Sequence, residues 1–376
     1  MGNQSDSIES DTLNRTLNIG FVGGGMNSAV GYTHYLASRL DGRFNVSAGC
    51  FSRNNILNDQ TATKFGVPQS RCYQTLETLL TAEADLLDAV CVLTPTPNHA
   101  QTVVKALSEG YDVICEKAMA TSTSEARLIR EALSRSGRKM MVIFNYVGYP
   151  MVREARAIID SGSLGDIQQI FCEMPQEGFA KEGASPQAWR RQDYEIPCVS
   201  LDLGVHVHQL IHFLTGWRIC LSLMAKEANF GKVPGVIDTV NLIGEYQGGI
   251  LANLMWSKAA LGHSNGLRFR IFAERGSLEW CQSNPEILML CDSEGIRRSL
   301  ERGQPRLLEA NKPRYNRFKA GHPAGFVEAF ANIYYEFYEI LIGQQTDLCE
   351  SFSVETAEDG LAFLTLVHEK SNLSIK

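Results

Sequence analysis

Between residues 17 and 148, short apolar runs alternate with segments whose apolar positions recur every three or four residues. That rhythm predicts strands at 17–22, 44–51, 89–93, 113–117 and 139–144. Helices are predicted between them at 28–40, 55–65, 75–83, 98–109 and 122–136, the first from Val30, Tyr35, Leu36 and Leu40. Asn98 stands where a helix cap belongs. The runs Ala89-Val-Cys-Val-Leu93 and Val113-Ile-Cys115 are apolar throughout, as strands covered on both faces must be. Strands alternating with helices therefore predict an α/β unit with a doubly wound parallel sheet.

After about residue 150 the period changes. Helices are predicted at 150–161 and 201–214, and strands at 166–174, 219–228, 236–246, 249–258, 267–273, 276–281 and 286–291. Glycine turns such as Gln247-Gly248-Gly249 join neighbouring strands, which predicts an α+β unit on a large, mainly antiparallel sheet. Residues 300–320 read as polar loop, and helices at 323–342 and 354–370 finish the chain. The organisation expected is a disordered tail at 1–16, a dinucleotide-binding unit at 17–148 and a substrate-binding and oligomerisation unit at 149–376.

A net charge of −7, with basic residues scattered, argues against nucleic acid as the main partner. No apolar run is long enough to span a bilayer, so a membrane partner is not expected either. The ten cysteines are dispersed without a Cys-x-x-Cys pair, and Cys91 and Cys115 lie inside strand-like runs as small hydrophobes. A reducing, cytoplasmic setting is the expectation.

Candidate chemistry gathers where strands end. Gly23-Gly24-Gly25, with Met26 behind it, follows a strand and precedes a helix, the context of a dinucleotide fingerprint. Gly23 would permit the tight turn and Gly25 the close approach of a pyrophosphate, but the third position is Ser28, with Gly31 three residues later. The second strand ends in Ser52-Arg53 with no acid, which favours the 2′-phosphate of NADP(H) over NAD(H). A solvated arginine would look the same in sequence. The fourth strand ends in Glu116-Lys117, placed for proton transfer at the ligand edge, although a surface ion pair is the plainer reading. Asp202 and His206 are four apart on a helix, so a carboxylate and an imidazole share one face; a helix cap beside an interfacial histidine is the alternative. His206, His208 and His212 do not converge around one helix, so no metal site is expected.

With these motifs in this order, the chain resembles the glucose–fructose oxidoreductase/inositol dehydrogenase (Gfo/Idh/MocA) family from residue 17 to the last helices. Thr94-Pro95 with Asn98-His99 is similar to the family's Thr-Pro-Asn-x-x-His loop over the cofactor, Glu116-Lys117 to its Glu-Lys-Pro signature, and Asp202-x-Gly204-x-His206 to its Asp-x-Gly-x-His signature. The triple glycine, residues 148–152 and residues 320–325 resemble one branch of it.

The resemblance implies a homo-oligomer, dimer or tetramer, with a sugar-like substrate bound between a Rossmann domain and a mixed-sheet domain. It implies that Lys117, with His206 and Asp202, handles a hydroxyl proton while hydride passes to nicotinamide. Gly23, Gly25, Met26, Ser52, Arg53, Thr94, Pro95, Asn98, His99, Glu116 and Lys117 would hold the cofactor. Tyr146, Tyr149, Trp189, Arg190, Asp193 and His322 would line the substrate pocket. The chain departs from the family at Ala118, where the signature has proline, in Ile196-Pro-Cys-Val-Ser200 before Asp202, and at Gln209. These departures bear on the substrate more than on the reaction. The expectation is an NAD(P)-dependent oxidoreductase acting on a secondary hydroxyl or ketone of a sugar, glycoside or cyclitol. A non-catalytic cofactor or sugar sensor, or a cofactor-retaining glycoside-processing enzyme, would use the same fold.

Overall fold

The computed structural model describes residues 15–216, 220–344, 346 and 348–373. Most of the expected tail, residues 1–14, lies outside them. The described chain packs as two compact units. One runs through Ala120 and adds Ser124–Ile143 and Phe330–Thr356; the other comprises Thr121–Thr123, Phe144–Ala329 and the residues from Ala357 on.

The first unit is built on strands β1 (Leu17–Gly23), β2 (Phe44–Cys50), β3 (Ala89–Leu93), β4 (Asp112–Glu116) and β5 (Met140–Ile143). They form one parallel sheet in the order β2-β1-β3-β4-β5. All five residues of β3 are buried, as its unbroken apolar run requires. Helices α1 (Gly31–Arg39), α2 (Asn55–Phe65), α3 (Leu76–Ala82), α4 (His99–Ser108) and α5 (Thr123–Ser136) follow the strands. Asn54 caps α2 by accepting from the Leu57 amide at 2.9 Å, and Gly66, at φ 70°, ends it. The cap expected of Asn98 is not made by its side chain; its carbonyl instead accepts from the Thr102 hydroxyl at 2.8 Å. A 3-10 turn at Thr96–Asn98 leads directly into α4, so the backbone is already helical where a side-chain cap would form.

The second unit carries β6 (Ile167–Pro175), β7 (Cys220–Ala228), β8 (Thr239–Tyr246), β9 (Ile250–Ser257), β10 (Arg268–Ala273), β11 (Gly276–Cys281), β12 (Ile287–Cys291) and β13 (Arg297–Glu301). They form one sheet in the order β13-β12-β11-β10-β6-β9-β8-β7, antiparallel except between β6 and β9. β13 has no apolar alternation to announce it: it is a mostly exposed, polar edge strand held by β12 alone. Helix α6 (Pro150–Asp160) packs on β11 and β12, and α7 (Val205–Thr215) on β6. Strand β8 alternates buried and exposed residues, so the sheet has one covered and one open face. Helices α8 (Phe326–Leu341) and α9 (Val354–Leu373) each pass from one unit to the other along their length.

The predicted helix at 201–214 is not α-helical from its start. Ser200–Gly204 forms a π turn before α7. Ser200 accepts from the Trp256 indole at 3.1 Å, and a Cβ on Gly204 would come within about 3.0 Å of that ring and 2.9 Å of Leu364. The widened turn lets a large indole press against the backbone where Asp202 emerges.

Candidate active site

In the first unit the candidate groups line the carboxyl ends of the parallel strands. Gly23 and Gly24 adopt φ 82° and 73°. A Cβ on Gly23 would sit 2.7 Å from the backbone of Leu93 and Thr94, and one on Gly25 3.1 Å from the Phe51 carbonyl. Ser28, which occupies the third fingerprint position, accepts from the amides of Val30 and Gly31 at 3.3 and 3.1 Å and so starts α1. Gly31 does the work of the missing glycine, since a Cβ there would fall 2.0 Å from the Gly24 carbonyl. The amides of Asn27 and Ala29 have no acceptor among the described residues, and Met26 donates its amide to Thr61 at 3.2 Å. A loop with spare donors at a helix N-terminus suits a pyrophosphate.

At the end of β2, Asn58 accepts from the amides of Phe51 and Ser52, and the Ser52 hydroxyl accepts from Asn54. Arg53 is exposed and forms no ion pair with any described residue. At the end of β3, the Thr94 hydroxyl oxygen is buried without a hydrogen-bond partner among the described residues, a polar atom that a bound ligand would satisfy. Pro95 is exposed and Asn98 half-buried. His99 is 1% exposed, with its ring nitrogens 2.7 Å from the Ala118 carbonyl and 2.6 Å from that of Thr94. Burial pushes its pKa below the ordinary value, against the pull of the two carbonyls. His99 thus ties the β3 exit to the β4 exit.

That β4 exit carries Glu116, buried, and Lys117, half-buried, joined to Ala118 by a cis peptide. Ala118 is itself 1% exposed, so the missing proline leaves a packed turn. Glu116 Oε1 lies 2.9 Å from His34 Nε2, and His34 Nδ1 lies 2.8 Å from the Tyr334 hydroxyl.

In the second unit, Asp202 is buried and engaged by two cations. Arg190 donates from Nε at 2.8 Å and Nη2 at 3.1 Å, and Lys258 Nζ reaches Oδ2 at 2.7 Å. Burial works against the Arg190 guanidinium, but Asp202 outweighs it and holds its pKa above the ordinary value. Lys258 also donates to Gln176 at 3.1 Å and lies 5.5 Å from the Phe179 ring centroid. Arg190 stacks over Trp189 at 4.4 Å. His206 is buried, with the Tyr146 ring edge-on at 4.9 Å. The Tyr146 hydroxyl donates to Gln282 at 3.1 Å, and Tyr149 packs on Trp280 at 5.3 Å. Burial raises both phenols above their usual range, Tyr149 to about 12.

Two expected pocket residues sit differently. Asp193 accepts from the amides of Cys198 and Ile237 at 2.8 and 2.9 Å, one on each oxygen, and so anchors the segment before Asp202. His322 is exposed, and its carbonyl accepts from Arg302 at 3.0 Å. Sequence reasoning missed Lys258, His34 and Tyr334, each far along the chain from its partner. Among the described residues no group of three or more His, Cys, Asp or Glu is placed for a metal ion; His208 and His212 stack at 4.0 Å inside the unit. No described helix is long and apolar enough to cross a membrane.

A glycine-cradled parallel sheet followed in the chain by a large mixed sheet is the architecture of a nucleotide-binding unit joined to a second, α+β unit. The chain belongs to the GFO/IDH/MocA family: residues 17–144 match its NAD-binding Rossmann-fold oxidoreductase model and residues 152–279 its C-terminal domain model. It is thereby an NAD(P)-binding oxidoreductase of that family. The chain is 28% identical over 338 residues to the uncharacterized oxidoreductase YfiI of Bacillus subtilis, covering 86% of this chain and 85% of that one. It is 25% identical to a levoglucosan dehydrogenase of Pseudarthrobacter phenanthrenivorans over 70% of this chain and 73% of that one. The structure of an inositol dehydrogenase homolog from Azotobacter vinelandii, complexed with NADH and myo-inositol, superposes with a TM-score of 0.85 at 27% identity, covering 96% of both chains.

Proposed function

We propose that this chain transfers hydride between a nicotinamide cofactor and a secondary hydroxyl or ketone of a sugar, glycoside, cyclitol or related compound. The observation that carries the reading is Lys117 at the ligand edge of the nucleotide-binding sheet, in a chain whose second unit retains the buried Asp202 and His206. Relatives described as acting on levoglucosan, or bound to NADH and myo-inositol, support the same substrate class.

Gly23, Gly25 and Met26 would hold the pyrophosphate, with Ser52 and Arg53 at the adenosine ribose. Thr94, Pro95, Asn98 and Glu116 would line the nicotinamide side, with His99 holding their loops together. When bound, the nicotinamide supplies the hydride acceptor or donor at its C4. Lys117 takes the hydroxyl proton, its amine becoming an ammonium, and returns it when the reaction runs toward the alcohol. His206 hydrogen-bonds the reacting oxygen, and Asp202, fixed by Arg190 and Lys258, sets the position of the π turn that leads into α7, the helix that carries His206. Tyr146, Tyr149, Trp189, Arg190 and His322 are the proposed substrate contacts. Asp193 acts behind them by anchoring backbone.

Arg53, exposed and without an ionic partner among the described residues, favours NADP(H). We also read the chain as a homo-oligomer, because Met224, Ile243, Leu251 and Phe272 stand exposed on one face of the eight-stranded sheet.

The test is calorimetric titration of the full chain with NADPH and NADH, then a turnover screen over polyols including myo-inositol and levoglucosan. Tighter NADPH binding lost in Arg53→Ala, and turnover falling roughly 100-fold or more in Lys117→Ala with cofactor binding intact, are the expected results. Cofactor bound without turnover of any polyol would leave a binding protein.

A further inference from the structure

Glu116 ends β4, and its carboxylate is tethered on one side only. Oε1 meets His34 at 2.9 Å; Oε2 has no partner among the described residues, and 9% of the side chain remains exposed. Behind it runs a buried polar chain. His34, 0% exposed, projects from α1, Tyr334 from α8, and Cys91 from β3 lies 3.4 Å from the Tyr334 hydroxyl.

The donors in this chain have a consistent direction. A carboxylate only accepts, so His34 Nε2 carries the proton and donates to Glu116. Nδ1 is then the acceptor, and the Tyr334 hydroxyl donates to it. The Cys91 thiol can donate to Tyr334; burial keeps both thiol and phenol protonated. Every ring nitrogen of His34 is used, and none of the chain beyond Glu116 reaches solvent.

The sheet order says what lies at Glu116. In a 2-1-3-4-5 sheet the β2 end reads the adenosine ribose and the β1 loop the pyrophosphate, so the β3 and β4 ends fall on the nicotinamide side. We propose that His34 and Tyr334 are positioning residues. They hold Glu116 in one rotamer, so that its open oxygen accepts a hydrogen bond from the nicotinamide half of the cofactor. The inference rests on the cofactor reading above and adds residues to it that make no contact with ligand.

The experiment is calorimetric titration of the full chain with matched probes: NADH beside ADP, and NADPH beside 2′,5′-ADP. Each pair shares the adenosine end and differs in the nicotinamide half. In His34→Leu the dinucleotide should bind roughly tenfold more weakly while the truncated probe binds as in wild type. His34→Gln, which can still present an N–H to Glu116, should recover part of that loss. Tyr334→Phe should weaken the dinucleotide in the same selective way but less, and it decides the matter if His34→Leu does not fold. Unchanged dinucleotide binding in these variants, or equal loss of both probes, overturns the assignment. Wild-type protein that binds neither probe defeats the cofactor reading itself, and the assignment with it.

Discussion

Two cations, Lys258 buried and Arg190 half-buried, meet the buried carboxylate of Asp202. Arg190 is 21% exposed at its side chain and Lys258 only 8%, so Lys258 depends on Asp202 more than Arg190 does. Asp202→Asn should therefore destabilise the protein by about 3 kcal/mol, the cost of leaving a buried charge without its partner. Asp202→Asn combined with Lys258→Met should recover part of the loss, because the uncompensated ammonium is gone. Urea unfolding of wild type, both single variants and the double variant measures the coupling. Additive losses would mean that Lys258 and Asp202 do not support each other. Asp202 and His206 were legible as a motif four residues apart. Lys258 was not, because it enters from the end of a strand more than fifty positions away.

Helix α7 is buried along its whole length, histidines included, and this has a consequence in acid. Burial holds His212 down at about 4, and His208 well below its ordinary 6.5. As pH falls through about 6.5 the unfolded chain takes up protons that the folded helix does not accept until about pH 4. The unfolded state binds more protons in that window, so stability is lost as pH drops and is unaffected by these groups above it. For His212 alone the loss between pH 7 and pH 5 is about 2 kcal/mol. Urea midpoints compared at the two values, in wild type and His212→Gln, should show a shallower pH dependence in the variant. An identical slope would remove His212 from the account. At this scale the sequence located most helices and strands, since apolar period is a local property. It did not show the π turn at Ser200–Gly204, where the Trp256 indole from β9 bonds Ser200 and lies against Gly204, nor β13, whose polar residues pair with β12.

The eight-stranded sheet of the second unit leaves Met224 74%, Ile243 58% and Leu251 50% exposed on a single face. An apolar face of this kind is covered when copies associate. Ile243→Asp should lower the mass seen by sedimentation velocity from that of an assembly to that of one chain, with the fold intact because the position is already solvent-facing. A wild-type chain that sediments as a monomer at micromolar concentration would sink the oligomer reading. The first unit, by contrast, completes itself with a segment from late in the chain: the described residues between Phe330 and Thr356 group with the nucleotide-binding sheet, bringing Tyr334 to His34. A reading by position places them with the second unit, since no local pattern records which body a helix joins.

The sequence by itself determined the parallel sheet, the glycine turn after β1, the place of Glu116-Lys117 at the end of β4, and the four-residue spacing of Asp202 and His206. Each is written in residues that are neighbours in the chain or recur at a fixed period. Tertiary structure decided what those groups touch. It gave the third glycine's role to Gly31, through contact with Gly24; set Lys258 and Arg190 on Asp202; turned Asp193 into a backbone anchor; and placed His34 and Tyr334 behind Glu116. Those contacts join residues up to 300 positions apart. Only packing of the whole chain brings such groups within hydrogen-bond distance, because local periodicity fixes the face a side chain occupies and not the partner it meets there.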